Sequence, residues 1–359
     1  MTTLNLDLKN RVKPTSNEVY YSDKTDPIGS PNNSYPVPFH YTFDIIDSSK
    51  LSTYCQCPRQ FFYKYILGWT KLGTHHDLNF GTAIHESMLV FNQWRQANLH
   101  QPLIGNEAVL KEAFVEFLIE YRKEHPKEFD NDYRPKDPAT ANHALVSYLQ
   151  KYDVNDTSEI ILHPETGGSV IIDELGRKLH FKMDVIIEDR DGNIIIRDYK
   201  TGSRKSQPWE DKFYTSFQIG TYLHAAKCLY GNRVKHFNIR GIFTYKANSK
   251  DREFGCVDFH DVYVMKNSNF MEEWRIDICH WYDMLENDMN ELKESKESDI
   301  IMSCFRKNPE FCTKFRTCQY FEQCCDWTNP LAMQHELPMG YRISRWDPIE
   351  KFDGNEVIL

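Results

Sequence analysis

Residues Lys182-Met183-Asp184-Val185-Ile186-Ile187-Glu188, Asp189-Arg190-Asp191-Gly192-Asn193 and Ile194-Ile195-Ile196-Arg197-Asp198-Tyr199-Lys200 read as one hairpin. Two apolar, β-branched runs lie either side of an Asp-Gly turn signal. A turn centred on Asp191 sets Asp184 opposite Asp198 on the neighbouring strand. Directly opposed residues have Cβ atoms roughly 4.5–5.5 Å apart. Side chains alternate along a strand, so Lys200 shares the face of Asp198 while Tyr199 points away. Two carboxylates this close repel, and a cation between them removes the repulsion. The pattern therefore asks for a divalent metal, with an attacking water and Lys200 beside it. Asp and Lys at surface strand ends are common, and Asp-x-Lys occurs often by chance. The case for a site is that both runs are apolar enough to be central strands, where an unpaired carboxylate is costly.

Working outward, strand patterns occupy residues near 158–163, 169–174, 179–189 and 193–199, then 236–246 and 254–264. Helical patterns precede them. One starts at an N-cap candidate in Asp47-Ser48-Ser49 and continues through Leu51, Tyr54, Phe61, Tyr65 and Ile66. Others cover Gly81 to Asn98, 106–125 and 137–152. A helix at 211–230 separates the hairpin from the last two strands, and a long one runs near 267–297. This mixture predicts an α/β fold. Residues 1–40 are rich in Asn, Ser, Pro and Thr and read as a poorly ordered extension. The main domain is expected over 41–327, and 328–359 is a C-terminal tail to which the sequence assigns no role.

The chain has 359 residues, 26% of them charged and 14% aromatic, with a net charge of −9. The acidic balance gives no global basic field, which argues against a protein that merely coats nucleic acid. It leaves room for an enzyme that grips its substrate through a local groove and metal ions. No apolar run approaches the ~20 residues of a membrane span, and no signal-peptide pattern opens the chain. A cytoplasmic location is the expectation. No Gly-x4-Gly-Lys-Ser/Thr loop occurs, so no nucleotide cofactor is expected.

Three further groups stand out. His85, in Gly81-Thr82-Ala83-Ile84-His85-Glu86, is either a surface histidine on an amphipathic helix or a nitrogen ligand to the same metal. Imidazole favours Mn and other transition ions over Mg, and the small Gly81 and Ala83 would let this helix approach a sheet. Gln218 and Tyr222 are spaced i, i+4 and share a helix face. They form either a plain polar stripe or a pair that holds a phosphate or stacks a base. Finally, Cys57 stands far upstream of Cys312, Cys318 and Cys324. Ten cysteines in a reducing compartment suit ligation better than disulfides. Four thiolates can hold zinc or an iron–sulfur cluster. The wide x5 spacings with one distant partner fit a bulky cluster better than zinc. Cys55, Cys304 and Cys325 are near enough to leave the ligand set open, and unligated cysteines remain an alternative. Cys228, Cys256 and Cys279 read as core thiols.

Taken in order, these pieces resemble the RecB-like branch of the PD-(D/E)xK nuclease superfamily, in its iron–sulfur form. That form includes the CRISPR-associated four-cysteine exonucleases and phage-encoded relatives. The matching residues are Cys57-Pro58-Arg59-Gln60-Phe61, Gly81 to Glu86, Met183-Asp184, Asp198-Tyr199-Lys200-Thr201-Gly202, Gln218-x3-Tyr222 and the terminal cysteines. They span about residues 50 to 325. The resemblance implies a restriction-endonuclease-like core, a central mixed sheet flanked by helices. It adds a helical N-terminal part and a C-terminal iron–sulfur region. It implies Mg²⁺ or Mn²⁺ on His85, Asp184, Asp198 and the Tyr199 carbonyl. Lys200 then orients water and stabilises charge, and Gln218 and Tyr222 flank the scissile strand. It implies a 4Fe–4S cluster on Cys57, Cys312, Cys318 and Cys324, with zinc as the second choice of occupant. The activity implied is exonuclease cutting of single-stranded DNA or DNA ends in recombination, repair or processing, with a possible recombination or helicase partner. The alternatives are a non-catalytic DNA-end or partner-binding module with a structural metal, and the nuclease subunit of a helicase–nuclease pair. The first two C-terminal cysteines lie further apart than in the tightest family versions.

Overall fold

The computed structural model describes residues 25–73, 76–246, 255–314 and 317–347, and the backbone of 357–358. Strands β1 (Thr25–Asp26) and β2 (Phe39–His40) lead into helices α1 (Ser48–Gln56) and α2 (Pro58–Phe61) and strand β3 (Trp69–Lys71). Three helices follow: α3 (His76–Ala97), α4 (Glu107–Tyr121) and α5 (Pro138–Asp156). Then come β4 (Ile160–His163), β5 (Thr166–Ile171), β6 (Lys178–Met183), β7 (Val185–Glu188) and β8 (Ile194–Gly202). Helices α6 (Gln207–Asp211) and α7 (Phe217–Tyr230) cross to β9 (Val234–Tyr245) and β10 (Cys256–Val264). The chain continues through α8 (Ser268–Glu294), α9 (Phe321–Asp326), β11 (Tyr341–Ile343) and β12 (Val357–Ile358).

Several helices start on a side chain that accepts a backbone N–H of the first turn. Asp47 caps α1, Asn106 caps α4, Asp137 caps α5, Ser216 caps α7 and Asn267 caps α8. Such caps satisfy donors that a helix leaves unpaired at its start. The central sheet has the order β10-β9-β8-β7-β4. Only β8 and β9 run parallel, joined by the α6–α7 crossover, so the sheet is mixed. Period-two alternation gives it two apolar faces. Ile186, Ile194, Ile196 and Ile239 belong to a core shared with α1, α7 and α8. Val185, Ile187, Ile195 and Tyr199 belong to the core under α3, α4 and α5. The α/β expectation and the flanked mixed sheet both hold.

Three local differences from the sequence reading matter. The strand expected over 179–189 is interrupted at Asp184. β6 leaves to pair with β5 in a separate small sheet, and β7 alone joins β8. The helix expected over 211–230 is two helices, because Ser216 opens a fresh cap for α7. Third, part of the segment read as a poorly ordered extension is built in. Within 25–40, β1 pairs with β2, and the Asn33 side-chain amide donates to the carbonyls of Asp26, Pro27 and Val37. One amide thus satisfies three turn carbonyls, a device that composition does not reveal. Residues 1–24 lie outside the described residues. The tail also packs: β11 pairs with β3, the Arg345 guanidinium donates to the Ile66 carbonyl at 2.7 Å, and the Trp346 indole donates to Asp47 Oδ2 at 2.8 Å. Among the described residues, no helix is long and apolar enough to cross a membrane.

Candidate active site and cysteine cavity

The break at Asp184 creates the site. Val185 is the first residue of β7 and pairs with Arg197. Beyond that point β8 runs on from Asp198 to Gly202 with β9 on one side and no β7 on the other. A notch opens along this edge. Extending the register by one residue sets Asp184 opposite Asp198, as the hairpin reading expects. The Tyr199 N–H faces the notch and donates to Asp184 Oδ2 at 2.8 Å. The N–H and C=O of one extended residue point to the same edge, so the Tyr199 carbonyl faces the notch too. The Tyr199 ring goes the other way, buried, with its hydroxyl donating to Asn92 Oδ1 at 3.2 Å.

His85 arrives from α3, and its Nδ1 lies 3.0 Å from Asp184 Oδ1. A glycine permits that approach. A Cβ on Gly81 would sit 2.9 Å from Thr201 Oγ1 on β8, closer than real Cβ atoms come. From the opposite face come Asp198 and Lys200, with Lys200 Nζ 2.8 Å from Asp198 Oδ2. Side-chain exposure is 3% at Asp198, 15% at Asp184, 29% at Lys200 and 31% at His85. The notch therefore has a dry floor at Asp198 and a wet rim at His85 and Lys200.

The charges in it are unevenly settled. Burial favours the neutral form of Asp184, but His85, Lys200 and the Tyr199 N–H outweigh it and hold its pKa below the usual carboxylate value. Burial also dominates at Asp198, and with the nearby Asp184 carboxylate it overcomes Lys200, so this pKa is raised. Burial opposes the charged forms of His85 and Lys200, yet the carboxylates beside them raise both. Asp198 Oδ2 is buried, and the partner on it is the Lys200 ammonium at 2.8 Å. A buried carboxylate needs a partner, and here the partner is a cation.

Oxygen donors from Asp184, Asp198 and the Tyr199 carbonyl with one imidazole suit Mg²⁺ or Mn²⁺. Among the described residues, no three His, Cys, Asp or Glu side chains form a ready-made cage around one point. His85 and Asp184 bond to each other instead, and Lys200 sits on Asp198. The donor chemistry fits a divalent ion, and the side chains satisfy one another in its place.

Gln218 and Tyr222 lie on α7, where Gln218 Nε2 donates to the Tyr222 hydroxyl at 3.0 Å. Burial first, then Asp198 and Asp184, push the Tyr222 pKa well above its ordinary value. The phenol is thus a neutral group under the influence of both carboxylates. Lys212, just before α7, was missed by the sequence reading. Burial and then the charge of Lys200 lower its pKa. Sequence carries no signal for this closeness, since it depends on how α6 folds back over the sheet.

Cys57, Cys312, Cys318 and Cys324 line a single cavity of about 350 Å³, together with the exposed Cys325, Gln60, Lys307 and Tyr320. Cys57 ends α1 and precedes Pro58, the first residue of α2. Its Sγ accepts the Asn308 N–H, 251 positions away in sequence. The Cys318 N–H donates to the Cys312 carbonyl at 2.8 Å, and Cys324 lies on α9. Burial pushes the Cys324 thiol up to about 12 and raises Cys312 and Cys318 as well. Cys55 and Cys304 do not line this cavity. Of the three cysteines read as core thiols, Cys228 is exposed, and Cys256 and Cys279 are half-buried. Cys228 is on the outer side of α7, where periodicity alone did not place it.

A profile of the PD-(D/E)XK nuclease superfamily matches residues 48–325. The chain belongs to the PD-(D/E)XK nuclease superfamily. A search of the curated proteins found no match. The span of the superfamily match begins in α1 and ends in α9, so it includes the notch and the cysteine cavity. Membership is that of metal-dependent nucleases, with DNA as the substrate class it implies.

Proposed function

We propose that the chain is a Mg²⁺- or Mn²⁺-dependent deoxyribonuclease that acts on single-stranded DNA or DNA ends. The observation that carries this reading is the convergence of the His85–Asp184 and Lys200–Asp198 pairs at the edge of β8, within a PD-(D/E)XK superfamily span. Asp184, Asp198, His85 and the Tyr199 carbonyl would hold the ion. The ion supplies Lewis-acid polarisation of the phosphate and makes a water nucleophile more acidic. Lys200 Nζ holds positive charge where the phosphate oxygens gain negative charge during attack. Its raised pKa keeps it protonated through neutral pH. The Tyr199 N–H fixes Asp184, so the carboxylate meets the ion in one orientation. Gln218 and Tyr222 present an amide and a phenol beside the cut strand.

The exonuclease preference follows from the absence of a base-reading element among the described residues and from the resemblance to RecB-like proteins. In the same reading, Cys57, Cys312, Cys318 and Cys324 hold a 4Fe–4S cluster. The cluster supplies a covalent tie between chain segments far apart in sequence, which stabilises by restricting the unfolded chain. The lining of one cavity by all four thiols is what supports this reading.

The test is degradation of a fluorescent single strand with and without Mn²⁺. Lys200→Ala should lower the rate roughly 10³-fold or more while DNA binding persists. Retained cutting in that variant removes the assignment. For the cluster, anaerobically purified protein should absorb broadly near 400 nm, and Cys318→Ser should lose both the colour and much of the folded yield. A colourless native protein carrying zinc would replace the cluster with a structural ion.

A further inference from the structure

We propose that Lys212 is a second phosphate-binding cation, placed beside Lys200 to hold a backbone phosphate of the bound strand next to the one that is cut. The inference rests on the nuclease reading of the notch and deepens it.

The placement starts from two glycines. Gly241 on β9 is the register neighbour of Lys200 in the parallel pair, so both point to the same face. A Cβ on Gly241 would lie 2.6 Å from the Trp209 ring. A Cβ on Gly202, two residues beyond Lys200 on that face, would lie 2.9 Å from Phe243 and 3.5 Å from the Trp209 indole nitrogen. The indole therefore rests directly on the sheet beside Lys200, in space that any larger residue would fill. It is fixed edge-on by Phe213 at 4.8 Å and Phe243 at 4.7 Å between ring centroids. Lys212 Nζ lies over this shelf, 5.5 Å from the Trp209 centroid and 4.9 Å from that of Phe213. Cation–π contacts of this kind restrain an ammonium without neutralising it.

Among the described residues no carboxylate lies within ion-pair distance of Lys212. Both acids of α6 are engaged elsewhere: Glu210 takes His260 at 2.9 Å, and Asp211 accepts from Gln207 at 2.7 Å. Lys212 makes no ion pair with any described residue, whereas Lys200 has Asp198. A solitary surface lysine is ordinarily a solvated residue with no role. This one differs because a rigid aromatic shelf, set by two glycines, holds it next to a second cation. Lys200 is paired with Asp198, so the ammonium of Lys212 is the one left for an anion to complete. Phosphates spaced along a nucleic-acid backbone supply such anions.

The experiment compares wild type, Lys212→Ala and Lys212→Arg. Fluorescence anisotropy with a single-stranded oligonucleotide, in EDTA across a series of NaCl concentrations, reads binding. Steady-state cleavage with Mn²⁺ reads KM and kcat. One lost phosphate contact on a single strand should lower the slope of log K against log salt by about 0.7 and weaken binding about five-fold near 0.1 M salt. KM should rise by a similar factor with kcat unchanged, and Lys212→Arg should restore both. Unchanged slope and KM in Lys212→Ala overturn the proposal while leaving the nuclease reading intact, as does a loss confined to kcat. Inorganic phosphate is the control ligand. If it competes equally with the oligonucleotide on wild type and Lys212→Ala, the phosphate site lies elsewhere and the proposal falls. A wild-type protein that neither binds nor cuts DNA sinks the underlying reading and Lys212 with it. Lys212 is exposed, so matching melting curves will separate binding defects from misfolding.

Discussion

Adjacent residues of β8 belong to two charged clusters of opposite character. Arg197 points toward α5, into a network with Asp156, Glu159, Arg95, Asp153, Arg240 and Asp261. Asp198 points the other way, into the notch. In the network the carboxylates are fully engaged. Asp156 takes Arg95 at 2.8 Å and Arg240 at 2.7 Å on one oxygen, and Arg240 again at 3.3 Å on the other. Asp153 takes Arg95 at 2.8 Å and the Ile104 N–H at 2.8 Å. Arg197 grips Glu159 with both Nη atoms, at 2.8 and 2.6 Å. Arg95 Nε is left without an acceptor, but no acid oxygen of Asp153 or Asp156 is. In the notch the deepest carboxylate oxygen, Asp198 Oδ2, has one partner, the partly exposed Lys200 ammonium. Two buried clusters on one sheet thus differ in how many donors hold each carboxylate. The network locks α3 and α5 to β8 and β9. The notch holds each carboxylate with a single partly exposed cationic partner, and the charge of Asp198 is less well stabilised there than that of Asp156 in the network.

The largest effect that would sharpen this contrast is at Asp156. Removing one partner from a buried charge group typically costs about 3–5 kcal/mol. Asp156→Asn should lose about that much in urea unfolding, with specific activity of the folded fraction retained. A loss below about 1 kcal/mol would show the network to be ornamental. The effect has a pH signature. Burial opposes ionisation of Asp156, but Arg240, Arg197 and Arg95 prevail and hold its pKa far below the ordinary value. For a depressed carboxylate, the stabilisation is complete above the unfolded pKa, about 3.9, and is lost as pH falls below it toward the folded value. The gap between wild type and Asp156→Asn should therefore be constant from neutral pH down to about pH 5. It should narrow on further acidification, followed by melting temperature.

How much of this could be read from sequence depends on how local the cause is. The hairpin gave Asp184 opposite Asp198 because turn position and strand alternation are short-range rules, and the α1 cap at Asp47 was legible for the same reason. His85 and the four cysteines lie far apart in sequence. Their meeting followed from family resemblance, since no periodicity links Cys57 to Cys324. The break at Asp184 was not legible. An apolar run looks continuous whether or not its strand changes sheets, and the change is fixed by β5 and β8 competing for it. The ion network was missed for a related reason: its acids come from α5, the turn after it and β10, and its arginines from α3, β8 and β9. The same is true of Lys212, whose position depends on two glycines in different strands making room for Trp209.

The smaller prediction tests the other half of the contrast, at Asp198. Its folded-state pKa is raised, so at neutral pH its charged form is less at home in the fold than in the unfolded chain. Asn keeps the shape and removes the charge. Lys200 loses its partner in the exchange, but it is 29% exposed and can turn to water, where such a pair is worth little. Asp198→Asn should then be neutral or gain about 1 kcal/mol in EDTA while cutting no DNA. That is opposite in sign to Asp156→Asn, although the two residues carry the same charge and are comparably buried. A loss of about 2 kcal/mol or more would mean that Asp198 is a structural anion like Asp156. The distinction between a carboxylate locked by several guanidinium groups and one held by a single partly exposed ammonium would then fail.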